Sequence, residues 1–166
     1  MSNFFEKSDI KRKDAENIVS ETLNNCDDGE LYLEKSKSES IVLDDNKIKS
    51  SSYNSDLGYG LRAVTGEVVA YSHSNEISKD SLKQSSENLY STLKSKKGIY
   101  NHEIPKINEK FYKDINPIEE KSLNSKLELL KEINNYTRSK GAIVQQVTAS
   151  FAGEHKSIEI IRSGGE

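Results

Sequence analysis

Between Ser8 and Asn25, Ala15, Ile18, Val19 and Thr22 or Leu23 recur at helical spacing, which predicts a first amphipathic helix ending toward Gly29. The period then changes to two. Leu31–Glu34, Ser40–Leu43, Gly58–Val64 and Glu67–Ser72 are short runs rich in β-branched or aromatic residues, divided by Asp, Asn, Ser and Gly, and they read as strands. Thr65-Gly66 suits a hairpin between the last two, and Asp44-Asp45-Asn46 suits a turn before Lys47-Ile48-Lys49. An antiparallel meander is the simplest product. Helical spacing resumes after Ser78, a hydroxyl able to cap a helix that carries Asp80, Leu82, Leu89 and Leu93 and is closed by Gly98. Residues 99–115, with Pro105, read as a loop or linker.

Asn116-Pro117-Ile118-Glu119 then has the form of a helix start: an asparagine cap, a proline at the first position, and a glutamate that can reach back. Leu123, Leu127, Leu130 and Ile133 or Asn134 form the inward stripe of that helix, and Gly141 ends it. In the tail, Ile143, Gln145, Val147, Ala149 and Phe151 share one face of a strand. Ala152-Gly153-Glu154-His155 is placed to turn the chain into a partner strand, Ser157–Ile161. The resulting expectation is an α+β fold, a mainly antiparallel sheet with helices packed on one face. Its parts are 1–98 (helix, meander, helix), 99–115 (loop or linker) and 116–166 (helix and hairpin).

Composition narrows the functional classes. The 166 residues are 31% charged with a net charge of -3, a balance that argues against direct nucleic-acid binding, which favours strongly basic surfaces. The local run Lys94-Ser95-Lys96-Lys97 fits a solvated helix end. No apolar run at the start is long enough for a signal peptide or membrane span, so a cytoplasmic protein without membrane contact is expected. The single cysteine, Cys26, agrees with a reducing compartment, and Asp27 and Asp28 beside it disfavour a thiolate nucleophile.

The densest cluster of special residues runs from Ser52 to Ala63. Asn54 and Asp56 favour turns, and Gly58 and Gly60 lack the Cβ that limits close approach. Alternation places Gly58, Gly60, Arg62 and Val64 on one face and Tyr59, Leu61 and Ala63 on the other. Two readings follow: a substrate- or partner-binding surface built from Tyr53, Asn54, Asp56, Gly58, Gly60 and Arg62, or a sheet bend in which Arg62 pairs with Glu67 or Asp56. Tyr53, Tyr59 and Tyr71 suit either a peptide groove or sheet packing. Ser72-His73-Ser74-Asn75 reads as an exposed turn, and Asp44 and Asp45 as turn residues rather than an acid–base pair. The three histidines, His73, His102 and His155, include no pair one helical turn apart, and Pro105 interrupts the segment after His102-Glu103. No catalytic residue and no metal ligand is assigned.

Gly29–Glu34, Glu39–Lys49, Ser52–Ala63, Gly66–Ser78 and Val144–Ser150 together resemble, in order, the amino-terminal domain of the TldD/PmbA family, the TldD side in particular. The resemblance implies a zinc metallopeptidase that cuts peptides or unfolded protein and is paired with a TldE/PmbA-like subunit. Its zinc would sit in a histidine/glutamate helix of a large carboxy-terminal domain, so zinc is expected outside this chain and no cofactor within it. The chain ends at Glu166, before any such motif, so a truncated, inactive front domain is expected, supplying scaffold, substrate-channel wall and partner contacts. The alternative is a stand-alone interaction module, a split-gene remnant. The family name also carries a link to DNA gyrase modulation, which these charges do not echo. A peptidase of unfolded segments commonly holds backbone by strand addition, and the face around Gly58 and Gly60 is the expected place, with Arg62 fixing a carboxylate.

Overall fold

The computed structural model describes residues 4–93, 97–99 and 115–163. Most of the expected lysine helix end, Lys94–Lys97, and of the expected loop 99–115, with His102 and Pro105, lies outside them. The chain divides into two compact units, one formed by Met1–Lys35, Asp56–Tyr112 and Ser157–Glu166, the other by Ser36–Ser55 and Lys113–Lys156. The elements are α1 (Arg12–Leu23), β1 (Asp28–Asp44), β2 (Lys47–Thr65), β3 (Val68–Ser74), α2 (Lys79–Leu93), α3 (Leu123–Arg138) and β4 (Thr148–Ile161). The strands form one antiparallel sheet in the order β3-β2-β1-β4, so the α+β expectation holds.

In the first unit, α1 turns Ala15, Val19, Thr22 and Leu23 inward. These meet Leu31 and Leu33 of β1, Tyr59, Leu61 and Ala63 of β2, and Leu82 and Leu89 of α2 in one core. Each fully buried leucine contributes about 1.5–3 kcal/mol. The helices are also joined by a buried hydroxyl pair, Thr22 Oγ1 to Ser86 Oγ at 2.7 Å. The first helix starts at Arg12 rather than Ser8, because Ser8 spends its hydroxyl on the carbonyls of Phe5 and Ile10, closing a turn that buries Phe5 and Ile10. Helix α2 begins as expected, with the Ser78 hydroxyl accepting from the Ser81 N–H at 3.2 Å.

Several strands are longer than their hydrophobic runs. Leu31–Glu34 and Ser40–Leu43 are parts of one strand, β1, and Asn54 and Asp56 lie inside β2 rather than in turns. The Asn54 amide reaches across to Ser38 Oγ on β1 at 3.5 Å, instead of its own backbone. His73 is likewise on β3, stacked on Tyr71 with ring centroids 5.8 Å apart. The turns themselves match the residues: Asp45 and Asn46 have φ of 46° and 63°, the mirror-turn region that a two-residue hairpin demands, and Gly66 has φ 59°.

In the second unit, Ile41 and Leu43 of β1, Leu130 of α3 and Ala149 of β4 form the core, with Leu127 and Phe151 against it. Helix α3 starts at Leu123, capped by Ser122, whose side chain accepts from the Ser125 N–H at 3.2 Å. Asn116 instead closes one turn, its side chain accepting from the Ile118 N–H at 3.1 Å. The inward stripe of α3 is Lys126, Leu130 and Asn134, while Leu123 and Ile133 are exposed. The expected hairpin at Ala152–His155 is absent: β4 runs straight through, because Gly153 keeps ordinary φ and burial continues to alternate across it. Ile143 precedes β4 and is exposed.

Candidate functional site on strand β2

The period-two reading of β2 survives in detail at its carboxyl end. Tyr59, Leu61 and Ala63 are buried under the helices, and Tyr59 Oη meets Ser81 Oγ at 2.8 Å and Ser85 Oγ at 2.9 Å. Tyr59 is therefore a core residue with a satisfied hydroxyl, not a groove residue. Gly58, Gly60 and Arg62 occupy the opposite face.

That face is not bare backbone. β3 pairs with β2 from Thr65↔Val68 to Tyr59↔Ser74, so the backbone beside Gly60 and Arg62 already has a strand partner. A Cβ on Gly60 would lie 2.5 Å from the Tyr71 hydroxyl and 2.9 Å from its Cε2, which places the tyrosine ring over the glycine. A Cβ on Gly58 would lie 3.0 Å from the Ser74 carbonyl oxygen. The close approach that these glycines permit is thus used within the unit.

Arg62 likewise finds partners other than Glu67 or Asp56. Its Nε donates to Glu30 Oε1 at 2.8 Å, and its Nη2 donates to Glu30 Oε2 at 3.1 Å and Asp28 Oδ2 at 2.7 Å. Arg162 adds a longer contact to Glu30 Oε2 at 3.8 Å. The carboxylate hydrogen bonds raise the Arg62 pKa above its ordinary value. Burial pushes the Asp28 carboxyl up, but the Arg62 hydrogen bond, the Gly29 N–H and the charges of both arginines together hold it below its usual value. The guanidinium is thereby occupied in tying β2 to β1.

In the second unit, Ser38, Ser40, Ser52, Asn54, Ala152 and Glu154 line a shallow open trough of about 520 Å³. Tyr53 alternates to the other face of β2 and is exposed. Of the six residues singled out from sequence, Asn54 alone borders this trough. Gly58, Gly60 and Arg62 belong to the first unit, as does Asp56, which is exposed.

Two arrangements escaped sequence reasoning. Asp27 accepts the N–H of Gly66 at 2.6 Å and of Ile99 at 2.9 Å, and these two backbone bonds lower its pKa. Lys126, side chain 5% exposed, donates to Glu39 Oε2 at 2.7 Å and the Ile118 carbonyl at 2.6 Å, with the Phe151 ring centroid 5.4 Å away. The signal for Lys126 was its position one turn before Leu130 and two before Asn134, on the stripe those residues bury. Burial raises the Cys26 thiol pKa more than any other influence, with the Asp27 charge adding to it, so Cys26 is a packed thiol rather than a reactive one. Among the described residues no group of three His, Cys, Asp or Glu side chains could hold a metal ion, and no helix is long and apolar enough to cross a membrane.

Residues 29–92 match the family model described as PmbA/TldA metallopeptidase domain 1. The chain belongs to the TldD/PmbA family. It is 35% identical over 140 residues to the metalloprotease TldD homologue of Buchnera aphidicola from Acyrthosiphon pisum, covering 84% of this chain and 29% of that protein. The corresponding protein of Haemophilus influenzae is 32% identical over 147 residues, covering 85% of this chain and 30% of its own length. The chain thus spans under a third of these two relatives. The same fold occurs in a Bacteroides thetaiotaomicron protein named for modulation of DNA gyrase, with TM-score 0.64, 19% identity, and coverage of 93% of this chain and 37% of that one. It also occurs in TldE from Thermococcus kodakarensis, with TM-score 0.58, 16% identity, and coverage of 92% and 35%.

Proposed function

We propose that this chain is the amino-terminal, non-catalytic domain of a TldD-like metallopeptidase, supplying scaffold, substrate-channel wall and partner contacts to an enzyme that cleaves peptides or unfolded protein. The observation that carries the reading is the domain 1 match over residues 29–92 within relatives called metalloproteases, of which this chain corresponds to 29% and 30%. Hydrolysis and its metal, zinc by family resemblance, belong in this reading to the remaining part of such a protein. The charged groups described above are committed to structure: Arg62 to Asp28 and Glu30, and Lys126 to Glu39. This is the behaviour of a wall rather than of an acid–base centre.

The partner in this proposal is a TldE/PmbA-like subunit forming a heterodimer. The fold shared with Thermococcus TldE supports it, since two chains built on one fold can meet through equivalent surfaces. The free, buried Cys26 thiol fits a reducing, cytoplasmic setting. A chimaera tests the whole reading: this chain joined to the carboxy-terminal two thirds of the Haemophilus TldD homologue, assayed with a TldE-type subunit on unfolded casein. Cleavage by the chimaera, and by neither part alone, is expected. A chimaera that folds and binds its subunit but leaves casein intact would remove the chain from this role.

A further inference from the structure

Helix α3 carries a second apolar stripe that its own unit leaves open. Leu129, Ile133 and Tyr136 recur at i, i+4 and i+7, roughly 100° round the helix from the buried stripe of Lys126, Leu130 and Asn134, and they are 48%, 43% and 65% exposed. Single exposed apolar residues are ordinary, but three in register over two turns make a continuous strip. The residues that border it are unusual in turn. Glu128 and Glu132 lie one turn apart along the edge away from the buried stripe, and like charges at that spacing weaken a helix standing alone. The usual relief, a nearby basic partner, is missing. Lys126 is bound to Glu39 and Arg138 to Asp45, and among the described residues Glu128 and Glu132 form no ion pair. At its carboxyl end the strip closes on Lys140, whose ammonium lies 3.9 Å from the Tyr136 ring centroid.

We infer that this face of α3 docks an amphipathic helix of another protein, one whose apolar stripe is bordered by lysine or arginine. The inference goes beyond the peptidase reading and does not depend on it. Leu129, Ile133 and Tyr136 supply the apolar burial, and the guest's basic residues meet Glu128 and Glu132, as charges flanking the seam of two paired helices select the partner. A carboxylate pair that is unfavourable in the lone helix thereby becomes complementary to the occupied one. A second copy of this chain fits less well. When a helix pairs with itself antiparallel about a two-fold axis, the same edge of each meets its counterpart, so Glu128 and Glu132 would face Glu128 and Glu132. In a parallel pairing that edge would have to meet the one that Lys126 and Leu130 already bury against the core. A guest with acidic borders is disfavoured by the same repulsion.

The probe is a synthetic peptide of about 18 residues, made of leucine and lysine at helical period and long enough to pair with all of α3. A scrambled peptide of the same composition is its control. Fluorescence anisotropy of the labelled peptide with the intact 166-residue chain supplies the affinity, and amide NMR shifts locate the contact. Expected are shifts centred on residues 128–140, and binding weakened about tenfold or more by E128K/E132K and separately by L129S/I133S. All four side chains are exposed, so the melting temperature should hold; where L129S/I133S lowers it, E128K/E132K and the shift map decide. Absence of binding, shifts centred elsewhere, or equal binding of the scrambled peptide would overturn the inference, the last by reducing it to charge attraction alone. Self-association in sedimentation that Ile133→Ser abolishes would give the face to a second copy and overturn the partner. The peptidase reading stands or falls separately, on the chimaera.

Discussion

Gly29 and Gly60 show how the same residue type meets different constraints. A Cβ on Gly29 would lie 2.5 Å from the Arg62 carbonyl oxygen, a backbone atom that cannot swing away, and would also run into Leu23. On Gly60 the three nearest atoms all belong to the end of the Tyr71 side chain, which is largely exposed and can rotate out. Gly29→Ala is therefore expected to cost about 1–3 kcal/mol by overpacking, and Gly60→Ala well under that, both read from urea unfolding. Asp27 makes a separate prediction in pH. Its folded-state pKa lies below the unfolded value of ~3.9, so its stabilisation is complete above that pH and is lost as pH falls through the folded pKa. Asp27→Asn should lower the melting temperature at neutral pH, and its difference from wild type should vanish in strong acid; a difference unchanged with pH would mean the carboxylate charge is not what holds Gly66 and Ile99. The Lys126–Glu39 pair behaves as a buried ion pair, so Lys126→Ala should cost about 3–5 kcal/mol, and the apolar double variant Glu39→Leu/Lys126→Met should recover most of it. Equal losses in the single and double variants would show that packing, not charge, sets the cost.

At the scale of elements, helix α3 gives the sharpest test of what local signals mean. Ser122→Ala should remove its cap and cost about 1 kcal/mol, whereas Asn116→Ala should leave the helix content seen by circular dichroism unchanged. Asn116-Pro117-Ile118-Glu119 looked like the stronger start because its residue types suit a cap, but Lys126 binds the Ile118 carbonyl and holds that stretch as a separate turn. Period-two alternation was legible where one side is buried, as in Tyr59, Leu61 and Ala63, and the turn chemistry at Asp45-Asn46 and Gly66 was legible from residue type. Ser36–Glu39 and Ser50–Asp56 were not legible as strand, because neighbouring strands rather than their own propensity hold them extended. The same cause hid the continuity of β4 through Gly153. Of the candidate surface, the residue faces were legible. The occupancy of Arg62 and Gly60 was not, since it depends on Asp28, Glu30 and Tyr71, distant in sequence.

In the function proposed above, labour is divided across the whole molecule: this chain is assigned the holding of extended polypeptide and of a related subunit, and the bond-breaking step is assigned to another part of a TldD-like protein. Native mass spectrometry of the pure 166-residue chain incubated with β-casein and zinc reads both halves of that division at once. Expected is a complex containing intact casein, with no fragments over the incubation. Casein fragments that disappear when a chelator is added would contradict it, by placing the chemistry in this chain.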